Sequence, residues 1–242
     1  IRERSSDCDG FVTPSNYYRG KMCQRLGLSA DAVDVVPVGI ELEGYMQAAF
    51  DGPPTIGFLS KLTPSLGLAL LVDAFMLLKR KPGLETLQLR ATGGPTRGDK
   101  RAVARLQRRL ARAGMADDAR FLTALERADR IGFLKDLTVM SVPMLDGEAF
   151  GTFMVEAWAA GVPVVQPRAG AFPELVKQTG GGVVYDGDSP ESLADALEPI
   201  LRDQEHARQL GARGREAALR EFGVETMAKR MVEVWSRRKA ES

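Results

Sequence analysis

The stretch from Thr55 to Tyr185 alternates between short apolar runs and longer amphipathic segments, and this alternation constrains the fold more than any other feature. The apolar runs lack the in–out pattern of a half-exposed strand and are typical of parallel strands that are buried on both faces. Helices between successive strands favour an open sheet with helical crossovers. The sequence therefore predicts an α/β fold, in which a doubly wound parallel sheet is followed by C-terminal helices.

The chain divides into four predicted parts. Near the start, an apolar strand at 11–14 precedes a helix that is capped by Ser15 and stopped by Gly27, and a second strand follows at 33–38. The next stretch, 44–54, is rich in glycine and proline, as linkers are. The predicted parts are an N-terminal segment at 1–43, the linker at 44–54, the sheet domain at 55–220 and a final helix segment at 221–242.

Within the sheet domain the pattern predicts six strands with a helix after each of the first five. The predicted strands are 56–59, 87–91, 120–122, 138–142, 162–165 and 182–185. The predicted intervening helices are 67–80, 99–113, 127–136, 151–160 and 172–179, and three more follow at 190–202, 204–220 and 224–238.

Composition excludes several classes of protein. Lys and Arg total 33 and Asp and Glu total 32, so the net charge of +1 provides no global field for binding nucleic acid. Cys8 and Cys23 match neither a disulfide framework nor a zinc site, and we interpret them as reduced thiols of a cytoplasmic protein. No apolar run reaches the ~20 residues of a spanning helix, and residues 1–10 lack a signal peptide's apolar centre. Because Ile1 opens a charged segment without an initiator Met, we expect the chain to be part of a longer protein.

The most informative residues follow the strand predicted at 138–142, at the sheet edge where open α/β folds bind ligands. Glu148 lies in that loop, where a carboxylate can accept hydrogen bonds from sugar hydroxyls. Gly151 and Thr152 open the next helix, whose unpaired amides and positive dipole end favour a phosphate. Glu156 lies more than one turn further on, within reach of a ribose diol. The order of these groups matches the sugar, diphosphate and ribose of a nucleotide sugar.

Several other segments match the patterns of one known family. They are Val-Pro-Val-Gly-Ile-Glu at 36–41, Gly-Phe-Leu-Ser-Lys at 57–61, Gly-Gly-Pro at 93–95, Ala-Ala-Gly-Val-Pro-Val-Val at 159–165 and Gly-Ala-Phe-Pro-Glu-Leu-Val at 170–176. Together with the pair Glu148 and Glu156, they resemble the retaining GT-B glycosyltransferases of family 4, also called glycosyl transferases group 1. The two-glutamate pattern is specific to the family, whereas the glycine turns alone are weak signals.

The resemblance implies a function and a domain plan. Residues 55–220 would be the Rossmann-like, nucleotide-sugar-binding C-terminal half of a GT-B fold. Residues 1–43 would be the remnant of an N-terminal acceptor domain, and 221–242 a helix that crosses back toward it. The whole enzyme would move a hexose from a nucleoside-diphosphate sugar to an acceptor without metal or cofactor, and the isolated chain would be inactive. The implied catalytic residues are Glu148 and Lys61, and the implied substrate-binding residues are Phe150, Gly151, Thr152, Glu156, Gly93 and Gly94.

The sequence departs from the family pattern at the two cations that neutralise the donor diphosphate. Lys61 stands where the family has Arg, and Leu66, which we place at the rim of the crevice, stands where it has Lys. The missing charge leaves three alternatives open. Another base (Arg90, Arg97 or Arg168) approaches the phosphates, transfer is weak, or the protein is a non-catalytic nucleotide-sugar-binding protein. A nucleotide-sugar epimerase is disfavoured, because the Phe-Gly helix start follows the transferase pattern.

One predicted helix, 99–113, is strongly basic. Its arginines are Arg101, Arg105, Arg108, Arg109 and Arg112. Most such runs are solvated faces, and a peripheral contact with anionic lipid at the inner membrane face is the alternative. Trp158 lies within the helix predicted at 151–160 and is interpreted as a core residue rather than a platform for a ligand.

Overall fold

The computed structural model describes residues 8–94, 99–122 and 126–241. Its eight strands within those ranges are β1 (Phe11–Thr13), β2 (Val33–Val35), β3 (Thr55–Leu59), β4 (Gln88–Thr92), β5 (Ala119–Leu122), β6 (Val139–Met140), β7 (Val164–Pro167) and β8 (Gly182–Tyr185). The α-helices there are α1 (Asn16–Leu26), α2 (Leu68–Leu78), α3 (Lys100–Arg112), α4 (Arg127–Leu134), α5 (Thr152–Ala159), α6 (Phe172–Thr179), α7 (Pro190–Arg202), α8 (Gln204–Glu221) and α9 (Val224–Glu241).

Six parallel strands form the main sheet in the order β5-β4-β3-β6-β7-β8, which confirms the predicted doubly wound fold. All five residues of β3 are buried. Since successive side chains of a strand point to opposite faces, both faces of the sheet centre are covered. The chain runs outward from β3 to β5 and then returns to β6 on the other side of β3. Adjacent strands β3 and β6 therefore form the switch point, where ligands of such sheets bind.

Some predicted boundaries were wrong by two or three residues. The second N-terminal strand ends at Val35 rather than at 38, and Pro37 has no amide hydrogen with which to continue the ladder. The strand predicted at 162–165 begins at Val164. The strand predicted at 138–142 is shorter, because β6 pairs with β3 only through Val139 and Met140. Apolar residues flank the paired residues of β2 and β6 and precede β7, so the hydrophobic pattern alone does not locate where pairing begins and ends.

The N-terminal segment folds as a separate β-α-β unit. Strands β1 and β2 pair in parallel and α1 connects them. Both predicted caps of α1 are confirmed: the Ser15 hydroxyl accepts a hydrogen bond from the Tyr18 amide, and Gly27 ends the helix at φ 72°. The Ser15 hydroxyl also donates to the Ala149 carbonyl at 2.6 Å, which ties this unit to the loop that carries Glu148.

The segment 41–54 contains no helix or strand, as its composition predicts, yet it packs closely on the sheet domain. Tyr45, Ala48 and Phe50 are buried. The Ala48 amide donates to the Ala160 carbonyl at 2.8 Å, which secures the segment against the end of α5. Trp158 is fully buried in the core, as predicted, and its indole donates to the Gly181 carbonyl at 2.8 Å. No helix in the described part of the chain is both long and apolar enough to cross a membrane.

Candidate active site

A cavity of about 500 Å³ opens at the carboxyl ends of β3, β4 and β6. Its walls are formed by Leu59, Ser60, Lys61, Gly93, Gly94, Arg130, Glu148, Thr152, Phe153 and Glu156. Six of these residues were singled out from the sequence, and they come from the loops after β3, β4 and β6 and from helix α5. The cavity lies beside the switch point of the sheet, where the topology predicts a ligand.

The loops after β3 and β4 are held together by backbone hydrogen bonds. The Ser60 amide donates to the Thr92 carbonyl at 3.1 Å, and the Leu62 amide donates to the Gly94 carbonyl at 3.2 Å. Gly93 has φ 135°, and a Cβ there would lie 2.0 Å from the Ser60 carbonyl oxygen, so only glycine permits this approach. The packing places Lys61 at the cavity wall, exposed and without an ion pair to any described residue.

Glu148 is positioned by the glycine motif that follows β7. The Ala171 amide donates to the Glu148 carbonyl at 2.9 Å, and a Cβ on Gly170 would lie 2.5 Å from the Glu148 amide nitrogen. The Glu148 side chain is half-buried, and within 8–94, 99–122 and 126–241 nothing donates a hydrogen bond to its carboxylate. Burial raises the pKa of this carboxyl above its ordinary value. The result is a carboxylate that is held at the cavity wall and left open to a ligand.

Helix α5 begins directly at the cavity. Gly151 precedes it at φ 104°, and no side chain caps the first amides. Thr152 and Phe153 line the cavity, so the first turn presents unsatisfied N–H groups and the positive dipole end there. The side chain of Phe150 is buried and packs edge-on against Phe222, with ring centroids 5.8 Å apart. Only its backbone remains a candidate contact, because the aromatic ring is needed in the core.

Glu156 differs from Glu148 in having protein partners. Its Oε1 accepts hydrogen bonds from the Tyr45 hydroxyl at 3.1 Å and from Arg130 Nε at 3.1 Å, and Arg130 Nη2 lies 3.0 Å away. Burial and the neighbouring Glu156 carboxylate raise the pKa of Tyr45, so its hydroxyl stays protonated and donates. Glu156 is thus a carboxylate held in one orientation at the cavity wall.

Arg130 supplies a second cation to this cavity, and the sequence did not identify it. Of the three bases proposed to replace the family's lysine, Arg90 pairs with Asp136 and Arg168 with Asp186, while Arg97 lies outside the described residues. Leu66 does not line the cavity, contrary to the prediction that places it at the rim; it is half-buried and packs against the core. Among the residues that the structure describes, the cavity therefore contains Lys61 and Arg130 as its cations. No described group of three or more His, Cys, Asp or Glu side chains is arranged to hold a metal ion.

Comparison with known proteins identifies the family of this chain. The family model of glycosyl transferases group 1 matches residues 46–217, which is most of the sheet domain and its last long helices. The chain belongs to this family of glycosyltransferases.

Among its relatives is the GDP-mannose-dependent alpha-(1-6)-phosphatidylinositol monomannoside mannosyltransferase of Mycolicibacterium smegmatis, 27% identical over 99% of this chain and 65% of that protein. Phosphatidyl-myo-inositol mannosyltransferase of Mycobacterium tuberculosis is 30% identical over 93% of this chain and 59% of its own length. The chain thus spans less than two thirds of these curated relatives.

Solved structures share the fold. Sucrose-phosphate synthase from Thermosynechococcus elongatus superposes with a TM-score of 0.81 at 23% identity, over 96% of this chain and 58% of that one. Anabaena HepE in complex with UDP and glucose superposes with a TM-score of 0.80 at 22% identity, over 95% and 63%. At these identities the likeness establishes the fold alone.

Proposed function

We propose that this chain is the donor-binding half of a retaining hexosyltransferase of glycosyltransferase family 4, which moves a hexose from a nucleoside-diphosphate sugar to an acceptor. The observation that carries the proposal is the pairing of two different glutamates in one cavity. Glu148 has a carboxylate open to a ligand, and Glu156 has one held in place, with the uncapped start of α5 between them. This order suits a sugar, a diphosphate and a ribose.

Each group then has a defined part in donor binding. The amides at Phe150, Gly151 and Thr152 and the dipole of α5 hold the diphosphate, and Lys61 neutralises part of its charge. Glu148 accepts hydrogen bonds from the sugar hydroxyls, and Glu156 accepts them from the ribose. Gly93 lets the β4 loop approach the donor closely. Because protein groups carry the diphosphate charge, the proposal requires neither metal nor cofactor.

The donor test is calorimetry of the 242-residue chain with GDP-mannose and with UDP-glucose. We choose these because mannosyltransferase relatives are GDP-mannose-dependent and a structural relative binds UDP. Lys61→Ala should weaken binding of the preferred donor about tenfold, since one charge-assisted hydrogen bond is lost. Lys177→Ala, an exposed lysine on α6, is the matched control. A wild-type chain that binds neither donor would overturn the proposal.

The second candidate is a non-catalytic nucleotide-sugar-binding protein, and Leu66 is the observation that favours it. An apolar side chain packed against the core cannot replace a lysine at the diphosphate. Residues 1–43 are proposed to be the end of an acceptor-binding domain, so transfer would be a property of the whole protein, and this chain would bind the donor without transferring it. A turnover assay on the full-length gene product separates the candidates, because a binding protein shows donor affinity without transfer or hydrolysis.

Helix α3 is proposed to contact anionic lipid, which would place the protein at the inner face of the cytoplasmic membrane. It carries Lys100, Arg101, Arg105, Arg108, Arg109 and Arg112 and no acidic residue, although the chain as a whole has a charge of only +1. Each cation near an anionic surface contributes about 1 kcal/mol. Sedimentation with phosphatidylglycerol vesicles should fall when Arg105, Arg108 and Arg112 become Glu, whereas phosphatidylcholine vesicles should bind neither protein. Equal binding to both vesicle types would contradict the proposal.

A further inference from the structure

The Glu156 carboxylate is held from two parts of the chain that are far apart in sequence. Tyr45 approaches from the irregular segment 41–54 and Arg130 from α4. Every donor that the structure gives to this carboxylate contacts the same oxygen, Oε1. Three donor atoms on one oxygen fix the rotation of the carboxylate about its terminal bond. The other oxygen, Oε2, then has a set position relative to the cavity.

The position of Tyr45 is itself fixed by other contacts, so its hydroxyl stays in place when the Glu156 carboxylate rotates. The side chain of Arg127 stacks over the Tyr45 ring with its guanidinium carbon 5.5 Å from the ring centroid. Arg215 Nη2 donates to the Tyr45 carbonyl at 3.1 Å, and only 6% of the residue is exposed. A donor whose own position is locked by packing orients its acceptor more effectively than a mobile one.

We propose that Tyr45 and Arg130 are positioning residues, which hold Oε1 of Glu156 so that Oε2 accepts hydrogen bonds from both hydroxyls of a ribose. This clamp makes the cavity select ribonucleoside diphosphates over their 2′-deoxy forms. A 2′-deoxyribose leaves part of the oriented acceptor unpaired, and an unpaired buried polar group is what a hydrogen-bonding site rejects most strongly. The inference rests on the proposed donor-binding function and adds the residues that decide this selectivity.

The exposure of the pair argues that the clamp serves binding more than folding. Glu156 is 13% exposed and Arg130 is 31% exposed, so solvent still screens part of their attraction. An ion pair that is partly open to solvent contributes less to folding stability than a fully buried one. Loss of Arg130 should therefore abolish the nucleotide selectivity, and the melting temperature measured alongside reports how much the pair also contributes to folding.

The experiment is calorimetry of the 242-residue chain with GDP, UDP and their 2′-deoxy analogues, alongside thermal melting. The wild type should prefer the ribonucleotide about tenfold, the effect of one hydrogen bond to a charged group. Tyr45→Phe should reduce that preference about threefold. Arg130→Met should abolish it, and Arg130→Lys should restore part of it. Tyr45→Phe keeps the packed ring, so it decides the matter even where Arg130→Met unfolds.

Tyr185→Phe is the matched control. Tyr185 is also a buried tyrosine, but its hydroxyl has no hydrogen-bond partner among the described residues and lies outside the cavity, so its removal should leave the ribose preference unchanged. A preference that falls in Glu156→Gln but persists in Tyr45→Phe and Arg130→Met would overturn the clamp and leave the proposed function intact. A wild-type chain that binds no nucleoside diphosphate would overturn both.

Discussion

The two glutamates of the cavity lie eight residues apart in sequence but occupy opposite kinds of environment. Glu148 belongs to a loop whose backbone is braced by Gly170 and Ala171, and its carboxylate receives no hydrogen bond from the described residues. Glu156 belongs to helix α5, and its carboxylate is held by a tyrosine and an arginine. The protein has thus fixed the backbone of one acidic residue and the side chain of the other.

This difference separates two demands on a donor site. A carboxylate that accepts hydrogen bonds from the hydroxyls of a ribose benefits from being oriented in advance, because no reorganisation is then needed on binding. In the proposed function Glu148 binds the donor sugar, and a carboxylate in that role benefits from having no protein partner that it must first release. Glu148 meets the second demand at some expense of stability, because it is half-buried without compensation.

The largest expected effect comes from removing Glu156, the glutamate whose carboxylate is held by protein partners. Glu156→Ala should weaken binding of the free nucleoside diphosphate by roughly 1–3 kcal/mol, because it removes a charged acceptor of the ribose. It also leaves the buried Tyr45 hydroxyl without its acceptor, so the melting temperature should fall as well. Calorimetry with the nucleotide measures the first effect. Unchanged affinity in a folded variant would mean that Glu156 only anchors the helix and the segment 41–54.

A smaller and more selective effect on ligand binding is expected at Glu148, whose carboxylate has no partner among the described residues. Glu148→Gln should weaken binding of a nucleotide sugar about tenfold while leaving binding of the corresponding nucleoside diphosphate unchanged, because in the proposed function only the sugar contacts this carboxylate. Titration of each variant with both ligands measures the sugar-dependent part of the affinity. Glu148→Asp is the control, because it keeps the negative charge but has a side chain that is shorter by one methylene group. An equal loss for both ligands would place Glu148 at the diphosphate instead.

The smallest expected effect is on stability and its pH dependence. Burial raises the pKa of Glu148 in the folded state above 4.5, so the folded protein binds more protons than the unfolded chain between the two values. The contribution of Glu148 to stability is therefore most favourable at low pH and is lost as pH rises through the folded pKa. Glu148→Gln should melt at a higher temperature than the wild type at pH 7, and the difference should shrink as the pH approaches 4.

Melting curves at several pH values, without ligand, measure this difference. A constant difference across that range, or a lower melting temperature for the variant at pH 7, would show that the carboxylate is not destabilising in its free state. The same curves for Glu156→Gln provide the comparison, because Glu156 has partners that the substitution disrupts.

The sequence predicted the fold and most of the cavity because both depend on local patterns. Apolar runs separated by amphipathic helices predict parallel strands, and parallel strands bring their carboxyl ends to one edge. Lys61, Gly93, Glu148 and Thr152 each lie near such an end, so the rule predicted that their loops meet, while the family resemblance singled out Lys61 and Gly93 within those loops. Ser15 and Gly27 were predicted equally well, because a helix cap is read from neighbouring residues.

Predictions that depended on the direction in which a side chain points were less accurate. Leu66 lies after the same strand as Lys61, yet the turn at 64–66 directs it toward the core. Phe150 was predicted to contribute only its amide, and the direction of its ring, which packs on Phe222 from the end of α8, was not predicted at all. No local pattern distinguishes these residues from their neighbours, because the partner that decides the direction comes from another element.

Alternating apolar and amphipathic segments, strand ends and helix caps are properties of consecutive residues. From them, together with the family resemblance of its motifs, the sequence by itself determined the parallel sheet, the edge at which such sheets bind ligands and the six predicted residues that line the cavity. Only the tertiary structure brought Tyr45 and Arg130 to Glu156, across 111 and 26 residues of chain. Their meeting depends on how α4 is rotated about its axis and on where the irregular segment 41–54 packs. Both are decided by the packing of the whole core, which no short stretch of sequence encodes.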